Sequence, residues 1–140
     1  MDYYRIVWSD ELSIGNAEVD AQHKRLIELI GAIPEKANTH DPEILAEALK
    51  YAAAHFVCEE SFMAEIQYPD IEHHVNEHKK LTRILLSYQK EYESGGADLY
   101  AFKQFMFRWV RDHIMDEDKK IGLFAQGNCE NQYQQAHNQT

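Results

Sequence analysis

Two cysteines, three prolines and six glycines in 140 residues leave this chain poor in the residues that define several fold classes. Cys58 and Cys129 are too few for a disulfide framework, and reduced thiols are the simpler reading. So little glycine and proline excludes a collagen-like repeat, and no β-hairpin signature separates the apolar runs. No stretch reaches the ~18 to 20 apolar residues of a membrane span, and Met1-Asp2-Tyr3-Tyr4-Arg5 lacks the basic and apolar regions of a signal peptide. Membrane insertion and export are not expected, and the cytoplasm is the expected compartment. Basic residues are scarce as well: 14 Lys+Arg against 24 Asp+Glu give a net charge of −10, which argues against nucleic acid and other polyanions as partners.

What is present suits one globular domain, with 44% hydrophobic and 27% charged residues. Ile33-Pro34, Tyr68-Pro69-Asp70 and Ser94-Gly95-Gly96 punctuate the chain into four helical segments: Glu18 to Lys36, Asp41 to Gln67, Asp70 to Glu93 and Ala97 to Glu117. Asp41-Pro42 reads as an N-cap followed by proline in the first turn. Apolar positions recur at spacings of three and four in every segment. The seams run through Val19, Leu26 and Ile30, then Leu45, Ala52 and Phe62, then Ile71, Leu81 and Leu85, and finally Leu99, Phe102, Met106 and Trp109. With short connections between them, the expected fold is all-α: an up-down-up-down antiparallel four-helix bundle over residues 1–126. Residues 1–17 form an N-terminal arm containing Trp8, expected to pack across a helix pair, and the Asn/Gln-rich residues 127–140 are expected to be disordered.

Histidine is abundant, at 8 in 140, against roughly two or three per hundred in ordinary proteins. His23, His55, His74, His78 and His113 lie on the apolar seam with Glu59, whereas His40 falls in a loop, His73 lies one residue off the seam and His137 is in the tail. One such histidine is ordinarily a hydrogen-bonded core residue. Five imidazoles and a carboxylate in one dry layer leave many polar atoms without partners, at several kcal/mol each, and a bound metal removes that cost. Residues four apart lie about 40° apart around a helix and ~6 Å along it, so His55 with Glu59 and His74 with His78 each present two donors from one face. Imidazole suits iron, copper, nickel and zinc alike, so the metal stays open at this point. Asp118 stands five residues after His113 and would face about 140° away on a regular helix, where spacing favours a solvated acid. As a ligand it requires a π-type turn or a helix end between Ile114 and Glu117.

Trp8 with Ile14-Gly15, the run Asp20-Ala21-Gln22-His23-Lys24, His55-Phe56 with Glu59-Glu60, the pair His74 and His78, and Trp109 through His113-Ile114 to Asp118-Lys119 together form a specific signature. On these motifs the chain resembles the hemerythrins, most of all the short single-domain bacteriohemerythrins. The resemblance implies two iron ions with a bridging oxo or hydroxo group. It implies that His74, His78 and His113 serve one iron, that His23 and His55 serve the other with one position left open, and that Glu59 and Asp118 bridge. It further implies reversible binding of dioxygen as hydroperoxide, in an oxygen carrier or store rather than an enzyme. Leu26, Phe56, Trp109 and Ile114, with Met115 as an alternative to the last, are expected to wall the open iron.

Other readings of the same centre are a sensor of oxygen, nitric oxide or redox state, an iron-handling protein, and a di-iron enzyme. A carboxylate-rich oxygen-activating centre uses paired Glu-x-x-His motifs, and this sequence has none. A metal-free interaction bundle leaves the polar seam unexplained. Dioxygen is the expected ligand and a monomer the expected state, with a non-covalent protein partner left open.

Overall fold

The computed structural model describes residues 5–34, 42–96 and 98–127. Four long helices dominate: α1 (Ala17–Gly31), α2 (Pro42–Glu65), α3 (Ile71–Glu93) and α4 (Leu99–His113), preceded by a 3₁₀ turn at Asp10–Leu12 and followed by a π-helical turn at Ile114–Asp118. α1 packs against α2 and α4, and α2 packs against α3, giving the antiparallel bundle. The expected N-cap Asp41, the loop His40, the tail with Cys129 and His137, and the arm residues before Arg5 lie outside the described residues.

Local chemistry sets the helix ends. The Asn16 side chain accepts from Val19 N–H at 3.0 Å and starts α1, and Asp98 accepts from Ala101 N–H at 3.2 Å and starts α4. α1 ends at Gly31 rather than near Lys36, because the chain turns at Ala32 and Ile33 ahead of Pro34. The buried Lys103 ammonium donates to the Gly31 and Ile33 carbonyls, each at 3.0 Å, and so closes the end of α1 from α4. α2 ends in a Schellman motif: Tyr68 N–H donates to Met63 C=O at 2.9 Å and Gln67 N–H to Ala64 C=O at 3.2 Å. Gln67 occupies the left-handed position, φ 57°, that glycine usually fills.

The fourth segment runs further than its acidic stretch suggests. Residues 119–127 are helical beyond the π-turn, and Gly127, where the polar tail is expected to begin, still belongs to them. Burial is the reason: Ile121 is fully enclosed, and Phe124 meets Tyr68 edge to face at 5.6 Å.

Two apolar clusters form the core. The larger contains Leu26, Ile30, Leu45, Ala52, Leu81, Leu85, Phe102, Met106, Phe107 and Val110, and the smaller contains Met63, Tyr68 and Ile121. Along α2 the layer's residues fall between Ala52 and Met63, and along the α4 region between Val110 and Ile121, so an apolar cluster borders the polar layer at each end. The arm adds a clasp. Asp20 accepts from Ser13 Oγ at 2.5 Å and from Ile14 N–H at 2.9 Å, which presses the Ile14 carbonyl onto the Cα of Gly122, where any Cβ would collide with it. The arm thereby ties the start of α1 to the helical stretch beyond the π-turn.

Candidate metal centre

Each element delivers its part of one buried layer. α1 contributes His23, α2 contributes His55 and Glu59 from successive turns, α3 contributes His74 and His78, α4 contributes His113, and the π-turn contributes Asp118. All seven are buried, with Glu59 and Asp118 at 0% exposure. An α-helical path from His113 would carry position 118 off this face; the wider turn absorbs one extra residue and returns it.

The side-chain donors fall into two sets that share both carboxylates: Glu59, His74, His78, His113 and Asp118 in one, and His23, His55, Glu59 and Asp118 in the other. The oxygens divide between them. Glu59 Oε1 lies 2.7 Å from His74 Nε2 and 3.2 Å from His78 Nε2, and Asp118 Oδ1 lies 3.0 Å from His74 Nε2 and 3.1 Å from His113 Nε2. On the other side Glu59 Oε2 lies 3.4 Å from His23 Nε2 and 3.2 Å from His55 Nε2, and Asp118 Oδ2 lies 3.1 Å from His23 Nε2.

Only the His74–Glu59 contact among these is a hydrogen bond; the rest are close without being one. Both nitrogens of His23, Nε2 of His78, Oε2 of Glu59 and both oxygens of Asp118 are buried with no hydrogen-bond partner among the described residues. Unpartnered atoms of this kind are costly in a dry interior. The Nε2 atoms of His74 and His113 meet at 3.1 Å, and two lone pairs facing each other repel unless a proton or a cation stands between them. Donors at right angles around an ion ~2.1 Å away lie ~3 Å apart, and opposite donors lie ~4.2 Å apart. The neighbouring contacts match the first distance, and His113 Nε2 to Glu59 Oε1, at 4.0 Å, approaches the second. The residues present therefore fit two cations bridged by two carboxylates.

Electrostatics lead to the same conclusion. Burial opposes charge on His23 and His74, but contacts with the Asp118 and Glu59 carboxylates outweigh it and raise both imidazoles to about 9. Burial likewise pushes the Glu59 carboxyl up, and the close imidazoles of His23, His55, His74 and His78 override it, holding Glu59 well below the usual carboxylate range. Asp118 is pushed up by burial and by the Glu59 charge, yet His113 and His23 hold it below that range too. In the metal-free protein the carboxylates thus favour the protonated form of both imidazoles, and a bound cation competes with those protons.

An aromatic wall flanks the layer. Phe56 stacks on His78 with centroids 4.1 Å apart, Trp109 stacks on His113 at 4.3 Å, and the two aromatics meet edge to face at 6.1 Å. They border a cavity of about 10 Å³ beside His23, His55, His113 and Asp118, lined also by Leu26, Val110 and Ile114. All four expected wall residues, Leu26, Phe56, Trp109 and Ile114, line it. Met115 does not; it borders a surface groove with Arg5, Leu12 and Arg111. Val110 was absent from the expected wall, although its spacing, four after Met106 and three before His113, fits the seam. His73 lies outside the layer, exposed, with Nε2 3.7 Å from Glu117 Oε2.

Residues 15–123 match the model of the hemerythrin HHE cation-binding domain. The chain belongs to the hemerythrin family. Among similar hemerythrins, a bacteriohemerythrin of Pseudomonas paraeruginosa is 28% identical over 117 residues, covering 81% of this chain and 76% of that one. A hemerythrin-like protein of Naegleria gruberi is 31% identical over 113 residues, with 81% and 87% covered. A crystal structure of wild-type hemerythrin superimposes with a TM-score of 0.79 at 26% identity, over 86% of this chain and 97% of that one. The cluster on this hemerythrin bundle is able to bind metal, and no helix among the described residues is long and apolar enough to cross a membrane.

Proposed function

We propose that this protein is a non-enzymatic, cytoplasmic oxygen carrier or store that binds dioxygen reversibly at two iron ions joined by an oxo or hydroxo bridge. His74, His78 and His113 would hold one iron and His23 and His55 the other, with Glu59 and Asp118 available to both. The observation that carries this reading is the uneven division of donors. One set offers five and the other four, and the small cavity is lined by both imidazoles of the four-donor set, His23 and His55, against His113 alone of the other set's three. The iron pair supplies the electrons and the Lewis acidity that dioxygen requires.

The chain's own residues select and protect. A cavity of about 10 Å³ has room for roughly one water-sized guest, which favours diatomic ligands over any organic substrate. Leu26, Phe56, Val110 and Ile114 offer no polar hydrogen to such a guest, and with the Trp109 ring they exclude bulk water, which slows proton-assisted loss of the ligand in a reduced form. Five imidazoles against two carboxylates make a nitrogen-rich shell with few anionic donors, better matched to reversible binding than to oxidising a substrate. The test is an oxygenation cycle: reduce the iron-loaded protein, admit air, then deoxygenate while following the visible charge-transfer bands. The reading predicts bands that appear and vanish over repeated cycles. Oxidation that deoxygenation cannot reverse would contradict it and favour a redox sensor or an enzyme.

A further inference from the structure

The run around His23 contains a second residue facing the centre. Gln22, half-buried on α1, places its Oε1 2.7 Å from His55 Nδ1 on α2. An amide oxygen only accepts, so the imidazole donates from Nδ1, and a neutral His55 then keeps a lone pair at Nε2. That Nε2 is the atom 3.2 Å from Glu59 Oε2 in the four-donor set. The Nδ1 atoms of His23, His74 and His78 have no hydrogen-bond partner among the described residues, and the carboxylate nearest His78 Nδ1, Glu60 Oε2, stands off at 3.6 Å, beyond hydrogen-bonding range. A short bond donated to a neutral amide thus orients a histidine of the four-donor set, and His23, the next residue on α1, supplies that set's other imidazole.

We propose that Gln22 is a positioning residue that fixes the tautomer and ring orientation of His55, and that its neutral amide, in place of a carboxylate, limits how strongly that imidazole donates electrons to the metal. An anionic acceptor at this point would draw the Nδ1 proton away and make His55 a stronger donor, favouring ferric iron. A neutral acceptor leaves the ferrous state accessible, as reversible oxygenation requires. The effect on iron rests on the two-iron reading above; the effect on the tautomer does not.

The test uses Gln22→Leu and Gln22→Glu in the full chain. In metal-free protein, nitrogen-detected NMR of the imidazoles reports the His55 tautomer, which should be Nδ1–H in the parent and mixed in Gln22→Leu. On anaerobic ferrous titration Gln22→Leu should weaken one of two equivalents by roughly 10- to 100-fold and spare the other, as loss of an outer-shell partner does. Gln22→Glu should retain both equivalents and shift the ferric-to-ferrous balance at least about tenfold toward ferric, which is 59 mV for one electron. An unchanged tautomer in Gln22→Leu, equal weakening of both equivalents, or parental potentials in Gln22→Glu would overturn the proposal. If the parent itself fails to take up two irons, the function assigned above fails, while the tautomer measurement still decides the role of Gln22.

Discussion

His113 Nε2 and Asp118 Oδ1 meet at 3.1 Å although five residues separate them, because the chain between them is wound as a π-turn. The turn gives up regular α-helical hydrogen bonding in order to return a carboxylate to the face that its spacing denies it. Asp118→Ala should therefore reduce iron retention after desalting to about one equivalent or less, since a shared anion is lost between two buried cations. Asp116, exposed in the same turn, provides the control, and Asp116→Ala should keep both irons. Equal retention by the two variants would contradict a bridging role for Asp118.

Gly122 lies one helical turn beyond Asp118, directly under the Ile14 carbonyl. Gly122→Ala forces the arm or the helix to move and should destabilise the fold by ~1 to 3 kcal/mol in urea unfolding, with weaker metal retention as the π-turn loosens. Gly127→Ala, whose Cβ would meet open space, should be neutral or stabilising by ~0.5 to 1 kcal/mol. Matching effects from the two substitutions would show that the clasp does not constrain the turn.

Metal-free protein should lose stability in two opposite directions of pH. His23 and His74 are raised from 6.5 to about 9, so their contribution is complete below 6.5 and is lost as pH rises through about 9. Glu59 and Asp118 are lowered, so their contribution is present above their ordinary values of 4.5 and 3.8 and is lost as pH falls below them. Melting temperatures should peak between those limits, at mildly acidic pH. Metal uptake displaces the imidazole protons, so the gap in melting temperature between loaded and metal-free protein should widen from neutral pH to pH ~9. A metal-free melting temperature that climbs over that interval would contradict the assignment.

Phe56 and Trp109 each cover a histidine of the layer as well as the cavity. Phe56→Leu and Trp109→Leu should admit water and speed autoxidation of the air-exposed ferrous protein severalfold, measured from the decay of its charge-transfer bands. Unchanged decay in both variants would remove the wall from the account.

The bundle was legible because apolar spacing of three and four survives in all four segments, and because histidines on that seam have no ordinary reason to gather there. Asp118 was legible only through resemblance: periodicity places it off the face, and a π-turn leaves no mark in the residue types between Ile114 and Asp118. The helical stretch beyond Glu117 was hidden by the acids of the turn and by Lys119 and Lys120, which read as a surface terminus until Ile121 and Phe124 are seen packed against Tyr68. Gln22 was invisible for a different reason. Beside a histidine of the buried layer and half-exposed, it resembles any surface glutamine, and only the fold shows that it accepts from a histidine on the neighbouring helix.

Anaerobic titration of the metal-free protein with ferrous iron, with bound metal counted after desalting, bears most directly on the shared-carboxylate centre. The division of the Glu59 and Asp118 oxygens between two nitrogen sets predicts saturation at two irons per chain. Saturation at one iron, or none retained, would contradict it.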